Sequence, residues 1–116
     1  MKSIAQRVNS LLNSNSDLQN LIGGQQAWEL EDEEASLPFV TFSITENSPR
    51  SKDLPADYDV RVHSYGNSLE EASDVDGFVK TAMYQGRRVK SIRAASGYTD
   101  EESRKAVIIR TFNIKN

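Results

Sequence analysis

The stretch LPADYDVRVHSYGNSLEEASDVDGFVKTAM, residues 54–83, decides the fold because it joins a strand pattern directly to a helix pattern. In its first half, Tyr58, Val60 and Val62 alternate with polar residues, which predicts a strand with one buried face. In its second half, apolar residues recur at helical spacing and predict an amphipathic helix with one buried stripe. That stripe consists of Leu69, Ala72, Val75, Val79, Ala82 and Met83, with Phe78 beside it.

Local signals mark both ends of this helix. Gly66 and Asn67 break the strand, and Ser68 and Glu71 then form a capping box, in which each side chain bonds a backbone N–H of the first turn. Gly86 is suited to the left-handed conformation that ends many helices. Four charged residues of the helix are expected to remain in water: Glu70, Asp74, Asp76 and Lys80.

The remaining segments alternate between the same two patterns. Apolar spacing predicts a first helix over residues 3–12 with Ser3 as its N-cap, followed by a short apolar turn over 17–22. Strands are predicted over 26–31, 39–46 and 105–114. A further strand begins near Val89, where the alternation slips by one residue, which indicates either a bulge or a later start.

This order, α-β-β-β-α-β-β, predicts an α+β fold. The hairpin-like connections favour a mixed, mostly antiparallel sheet of four to five strands with two helices packed on one face. At 116 residues the chain is long enough for one core, so we expect residues 1–116 to form a single domain.

Composition excludes several classes of protein. The net charge of -3 disfavours a broad basic field, so we expect no direct nucleic-acid binding; the local cluster Arg87, Arg88, Lys90 and Arg93 is read as the solvated face of a strand. The chain has no cysteine, and it has no apolar run of the roughly 20 residues that span a bilayer. We therefore expect a soluble protein made in a cytoplasm, without a membrane partner.

No catalytic motif stands out in the sequence. The single histidine, His63, shares a strand face with Arg61 and Asp59, so a proton-transfer pair is conceivable, but a polar cross-strand ladder accounts for the same residues. The consecutive acidic residues of 29–34 splay apart rather than converge on a cation. We predict no catalytic residue, no cofactor and no metal; an enzyme that uses His63 with the acidic residues is the weakest alternative.

The face of the sheet opposite the predicted core is more informative. Period-two counting places Phe39, Tyr65, Val107 and Ile109 on it, and an exposed apolar patch of this kind marks an interface. Arg61 and His63 belong to the same face. Alternatively, the first helix covers this face, or the last strand is out of register by one residue. Arg50 and Lys52, in the long loop between two strands, are either partner contacts or surface residues without a role.

The chain resembles the tail terminator, or tail completion, proteins of long-tailed bacteriophages. The resemblance rests on an N-terminal helix, the strand LPFVTFSITE, a charged loop, and ADYDVRVHSYGNS running into the acidic helix EEASDVDGFVKTAM. The strand KAVIIRTFNI near the C-terminus completes it. The glycine within the helix and the short N-terminal region depart from the family pattern.

The resemblance implies a structural role in the virion tail. Members of the family form rings, typically hexameric, that cap the tail tube, end its polymerisation and meet the head. It thus implies three partners: further copies of the chain, a tail-tube protein and a head-connector protein. The alternative from a different class is a small, non-enzymatic ligand-binding or regulatory module of a cellular protein, which would need a concave pocket with convergent polar groups.

Overall fold

A computed structural model of the chain describes residues 2–24, 26–28, 37–47, 57–99 and 105–115. The helices are α1 (Lys2–Asn13), α2 (Ser16–Ile22) and α3 (Leu69–Met83). The strands are β1 (Gln26–Trp28), β2 (Phe39–Asn47), β3 (Asp57–Gly66), β4 (Val89–Thr99) and β5 (Ala106–Lys115). The elements follow one another in the predicted α+β order, with α2 as an additional helix. Arg50, Lys52 and the acidic residues of 29–34 lie outside the described residues.

The strands form one sheet in the order β1-β2-β3-β5-β4. β1 runs parallel to β2, and the other neighbouring pairs are antiparallel, which confirms the prediction of a mixed, mostly antiparallel sheet. Helix α3 connects β3 to β4, and β5 lies between these two strands. Within the described part of the chain, β1 and β4 are therefore the two edges of the sheet.

All three helices contribute to one core on a single face of the sheet, which we call the inner face. Each fully buried aliphatic or aromatic side chain there stabilises the fold by roughly 1.5–3 kcal/mol. The strands supply Val40, Phe42, Ile44, Tyr58, Val60, Val62, Phe112 and Ile114. The helices supply Ile4, Ala5, Val8, Leu12, Leu18, Ile22, Val75, Val79, Ala82 and Met83.

The short apolar turn predicted over 17–22 is a helix of its own, α2. The side chain of Asn15 accepts a hydrogen bond from the backbone N–H of Leu18, and Gly23 ends the helix in the left-handed conformation. Leu18 and Ile22 are buried in the core. The expected N-cap at Ser3 is wrong, because α1 already begins at Lys2.

The start of α3 confirms the predicted capping box with one difference. The hydroxyl of Ser68 accepts the N–H of Glu71 at 3.1 Å, as expected. The carboxylate of Glu71 reaches one residue further back than expected and accepts the N–H of Asn67 at 3.0 Å. It also accepts a bond from the side-chain amide of Asn67. Both bonds satisfy donors that precede the first turn, so they fix the angle at which β3 enters α3.

Two residues of α3 differ from the prediction in their exposure to solvent. Leu69, assigned to the buried stripe, is 46% exposed, because it occupies the first position of the helix, beyond the core. Asp76, assigned to water, is buried and forms a bidentate ion pair with Arg110 of β5, with N–O distances of 3.0 and 2.9 Å. These hydrogen bonds raise the pKa of the Arg110 guanidinium above its usual value, although partial burial opposes them.

The turn after α3 also differs from the prediction. Gly86 does not adopt the left-handed conformation; Arg88 does, with φ 57°. Glycine is nevertheless favoured at 86, because a Cβ there would lie 2.8 Å from Leu11 Cδ1 and 2.9 Å from Val89 Cγ2, and these side chains would have to shift. Close packing, rather than backbone conformation, explains this glycine.

Strand β4 contains the irregularity that the phase slip near Val89 predicted. Its register with β5 shifts between Ser91 and Arg93 and again between Arg93 and Ser96. The strand then continues through Tyr98 to Thr99, whereas the sequence pattern placed Tyr98 in the connection before a turn. Two shifts in six residues hide the alternation on which a strand prediction depends.

Candidate interaction surface

The sheet face opposite the helices, which we call the outer face, carries side chains from four strands in aligned rows. Because directly opposed residues point to the same side of a sheet, the pairing registers define these rows. From one end of the sheet to the other, they are Phe39–Tyr65–Val107–Tyr98, Thr41–His63–Ile109–Ser96, Ser43–Arg61–Thr111–Arg93 and Thr45–Asp59–Asn113–Lys90. The outer face therefore changes from aromatic and apolar at one end to charged at the other.

The pairing of β5 with β3 shows which residues of β5 lie on the outer face, a question that the sequence left open. Val107 lies opposite Tyr65 and Ile109 lies opposite His63, so the predicted register of β5 is confirmed. No helix of the described residues packs on this side, since the core residues of α1, α2 and α3 meet only inner-face residues. The alternative in which α1 covers the outer face is wrong.

The apolar end is less exposed than predicted. Phe39 and Val107 are each only 2% exposed, so the expectation that they form an exposed patch is wrong. The ring of Tyr65 stacks on Phe39 at 4.5 Å, and the ammonium of Lys105 lies 5.4 Å from the Phe39 ring centroid. Val107 lies in register between Tyr65 and Tyr98, whose larger side chains flank it. Tyr65 and Lys105 thus contact the Phe39 ring, and neither Phe39 nor Val107 forms part of an exposed patch.

Three residues of the apolar end still contact solvent. Tyr65 and Ile109 are half-buried, and Tyr98 is 54% exposed. Tyr98 was missed by the sequence reasoning because the two register shifts of β4 conceal its strand position. An aromatic ring with a polar tip, set beside apolar neighbours, is a side-chain type enriched at protein–protein interfaces.

The charged end contains a shallow groove of about 270 Å³, lined by Ser43, Thr45, Asp59, Arg61, Arg93 and Thr111. Arg61 and Arg93 are exposed and lie on either side of Thr111 in one row. Two guanidinium groups in one row can form planar, bidentate hydrogen bonds with carboxylates of a partner. Arg61 was predicted from the sequence; Arg93 was assigned only to a solvated strand face.

The geometry does not bring His63 and Asp59 together as a proton-transfer pair. They lie four residues apart on one strand, which corresponds to about 13 Å. The Asp59 carboxylate instead accepts hydrogen bonds from Asn47 and Asn113, both at 3.1 Å, forming a polar ladder across three strands. The His63 ring lies 6.2 Å from that of Tyr65, in the row between the apolar and charged ends.

Two further findings concern other kinds of site. Among the described residues, no group of three or more His, Asp or Glu side chains is placed to hold a metal ion. None of the described helices is both long and apolar enough to cross a membrane.

Comparisons with known proteins point in one direction. No protein-family model and no curated protein sequence matches the chain. Among solved structures, a chain from the virion of a native gene transfer agent particle matches with a TM-score of 0.76 and 15% sequence identity, over 93% of this chain and 90% of that one. The bacteriophage SPP1 gp17 protein matches with a TM-score of 0.67 and 17% identity, over 99% of this chain and 89% of that one.

At these identities the matches establish a shared fold. The alignments span nearly the whole of each chain, so what is shared is the complete α+β arrangement rather than a common substructure. They confirm, at the level of the fold, the resemblance to phage tail terminator proteins. The gene transfer agent chain is part of a virion, and gp17 is a protein of bacteriophage SPP1.

Proposed function

We propose that this chain is a structural protein of a phage or prophage tail. In this proposal its copies associate into a hexameric ring that caps the tail tube, ends tube polymerisation and joins the tail to the head. The observation that carries the proposal is the fold shared with a gene transfer agent virion chain, at a TM-score of 0.76 over 93% of this chain. The match to the SPP1 protein supports the same class of particle.

The outer face supports a role in protein contacts rather than in catalysis. It offers Tyr65, Tyr98 and Ile109 beside a groove with two exposed arginines, which is the combination of aromatic, apolar and guanidinium groups enriched at protein interfaces. The titratable residues of the same face, His63 and Asp59, lie apart and contact other side chains. A surface for binding other proteins, without chemistry of its own, fits a non-enzymatic structural protein.

The proposed partners are further copies of the chain, a tail-tube protein and a head-connector protein. In the proposal the protein is made in the host bacterial cytoplasm and resides in the tail of the finished virion. Residues Arg50 and Lys52, in the loop between β2 and β3, are proposed as further partner contacts, since loops on a rigid sheet commonly carry binding residues.

Growth of tail tubes in vitro tests this function directly. The tail-tube protein of the same genome is polymerised with and without the purified chain, and tube lengths and tube ends are measured by negative-stain electron microscopy. We expect shorter tubes in proportion to the amount of chain added, with a ring at one end. Tubes of unchanged length whose ends carry no added density would contradict the proposal.

A further inference from the structure

Five cationic side chains meet where α1, the turn between α3 and β4, and the end of β5 come together. We call this cluster the basic corner; it consists of Arg7, Arg87, Arg88, Lys90 and Lys115. Four of them, Arg7, Arg87, Arg88 and Lys115, line a depression of about 360 Å³. Arg88, Lys90 and Lys115 also line an adjoining depression of about 250 Å³. Within the described part of the chain, neither depression has an acidic lining residue.

Hydrogen bonds fix the backbone of the basic corner. The guanidinium of Arg7 donates to the carbonyl oxygen of Arg87 and, at 3.4 Å, to that of Lys115. The N–H of Lys115 donates to the carbonyl oxygen of Arg88 at 3.2 Å. Helix α1, the turn and strand β5 are therefore tied together, while the side chains of Arg87, Lys90 and Lys115 are exposed. The backbone that presents these side chains is therefore ordered before an anionic partner binds, so binding does not incur the cost of ordering it.

The basic corner contrasts with the charge of the whole chain. It holds five of the 14 lysine and arginine residues of a protein whose net charge is -3. Asp57 lies opposite Lys115 in the sheet, but the amide of Asn47 donates to its carboxylate at 2.7 Å. Asp59, two residues on, is likewise held by Asn47 and Asn113. The described carboxylates closest in register thus accept hydrogen bonds from amides, and the exposed side chains of Arg87, Lys90 and Lys115 are suited to acidic groups from outside the molecule.

The chain itself carries a matching acidic segment. Five of its 17 acidic residues fall within residues 29–34, a segment that follows directly on strand β1. β1 and β4 are opposite edges of the sheet, and the basic corner lies at the β4 edge. A chain that carries both a cationic cluster and a separate acidic segment is suited to head-to-tail contacts, which generate rings when the rotation between copies closes.

We propose that the basic corner of one copy binds the acidic residues 29–34 of the next copy, and that this contact sets the head-to-tail order of subunits. The inference rests on the proposed ring. The inference adds to the proposed function the surface through which copies contact each other and the chemistry of that contact. Complementary charges chiefly steer encounter and select the correct pairing of surfaces. Exposed Tyr84, at the end of α3, and Ile92, on β4, offer apolar area close to the same edge.

Charge reversal on each side of the contact provides the test. The corner variant carries Arg87→Glu, Lys90→Glu and Lys115→Glu, and the segment variant carries Glu29→Lys, Glu31→Lys and Glu33→Lys, so the net charge of each surface changes sign. We expect either variant alone to self-associate at least roughly tenfold more weakly than the wild type, because like charges then face each other. The measurement is sedimentation velocity across a concentration series at low and high salt. Wild-type association should weaken as salt screens the charges.

An equimolar mixture of the two variants gives the decisive result. In alternating order, the reversed corner of one variant meets the reversed segment of the other, and both remaining surfaces are native, so every contact again joins opposite charges. We therefore expect the mixture to recover wild-type association. The control variant Lys2→Glu also lowers the net charge, but at an exposed position of α1 outside the basic corner, and should associate normally.

Three outcomes would overturn the inference. The first is a mixture that fails to recover association although both variants are folded by circular dichroism. The second is a wild-type protein that remains monomeric in low salt at millimolar concentration. The third is a corner variant that associates normally but has lost binding to duplex DNA, which would identify nucleic acid as the ligand.

The tube-growth assay separates this inference from the proposed function. If the corner and segment variants still cap tubes as the wild type does, the charge contact is wrong and the proposed function stands. If the variants and their mixture follow the expected pattern of association while the wild type has no effect on tube length, the contact stands and the proposed function is wrong.

Discussion

At the scale of single residues, Gly66 shows how closely the strand and the helix of the central unit approach each other. A Cβ at this position would lie 2.6 Å from the backbone nitrogen of Ala72 and 3.0 Å from the Cβ of Glu71. Backbone atoms of a helix cannot move aside as the end of a flexible side chain can. We expect Gly66→Ala to lower the free energy of unfolding by about 2 kcal/mol or more, measured by urea denaturation.

Gly77 supplies the matched control in the same unit. It lies in the middle of α3, and no atom lies within 4 Å of the position that its Cβ would occupy. Gly77→Ala should therefore raise stability by about 0.5–1 kcal/mol, since alanine loses less conformational entropy in a helix. If both substitutions had the same sign, close packing at Gly66 would not be the reason for its glycine.

At the scale of the elements, the ion pair between Asp76 and Arg110 joins α3 to β5. Removing one partner leaves the other charge largely buried, so we expect Asp76→Ala to cost about 2–3 kcal/mol of stability. This is below the cost for a fully buried pair because 15% of the Arg110 side chain is exposed. The exposed Asp74, on the same helix, is the control, and Asp74→Ala should change stability by less than about 0.5 kcal/mol.

A double substitution separates charge burial from packing at this pair. When Asp76→Leu is combined with Arg110→Met, no uncompensated charge remains, and most of the lost stability should return. A double variant as unstable as Asp76→Ala would show that the geometry of the ion pair, rather than the burial of a lone charge, supports the contact between α3 and β5. Thermal and urea unfolding of the wild type, Asp76→Ala, Asp74→Ala and the double variant give this comparison.

The elements that could be predicted are those whose signals are local. The stripe of α3 and its cap at Ser68 depend on residues within one or two turns, so periodicity and the capping box identified them. The outer-face position of Val107 and Ile109 also followed, because β5 keeps an unbroken register with β3. Fold class and the faces of β2, β3 and β5 were thus accessible from the sequence.

What could not be predicted depends on distant neighbours. Asp76 was expected in water because its partner, Arg110, lies 34 residues away on another element. The ring of Tyr65 stacks on the buried Phe39, a contact that exists only through the pairing of β2 with β3. Tyr98 was missed because two register shifts in β4 break the alternation. Each failure concerns a contact that the order of residues along one element does not contain.

At the scale of the whole molecule, the inner face of the sheet contributes to stability and the outer face is the proposed contact surface. The inner face is closed by three helices, whereas the outer face is covered by no helix of the described residues and keeps Tyr65, Tyr98 and Ile109 in contact with solvent. A sheet face that keeps aromatic and apolar side chains in contact with solvent offers them to a partner. In the proposed ring, the outer face and the basic corner share Lys90, but Ile109 belongs only to the outer face and Arg87 only to the basic corner.

The substitution Ile109→Asp tests the outer face. Ile109 is half-buried between His63 and Ser96 in its row, so a carboxylate there should cost only about 1 kcal/mol of stability while placing a charge within the apolar end. We expect a folded monomer that no longer assembles or caps tubes, measured by sedimentation and electron microscopy. Leu69→Asp, an equal change at an exposed residue on the helical side, should assemble normally. If Ile109→Asp unfolds the chain, Ile109 belongs to the core and the outer face is not the contact surface.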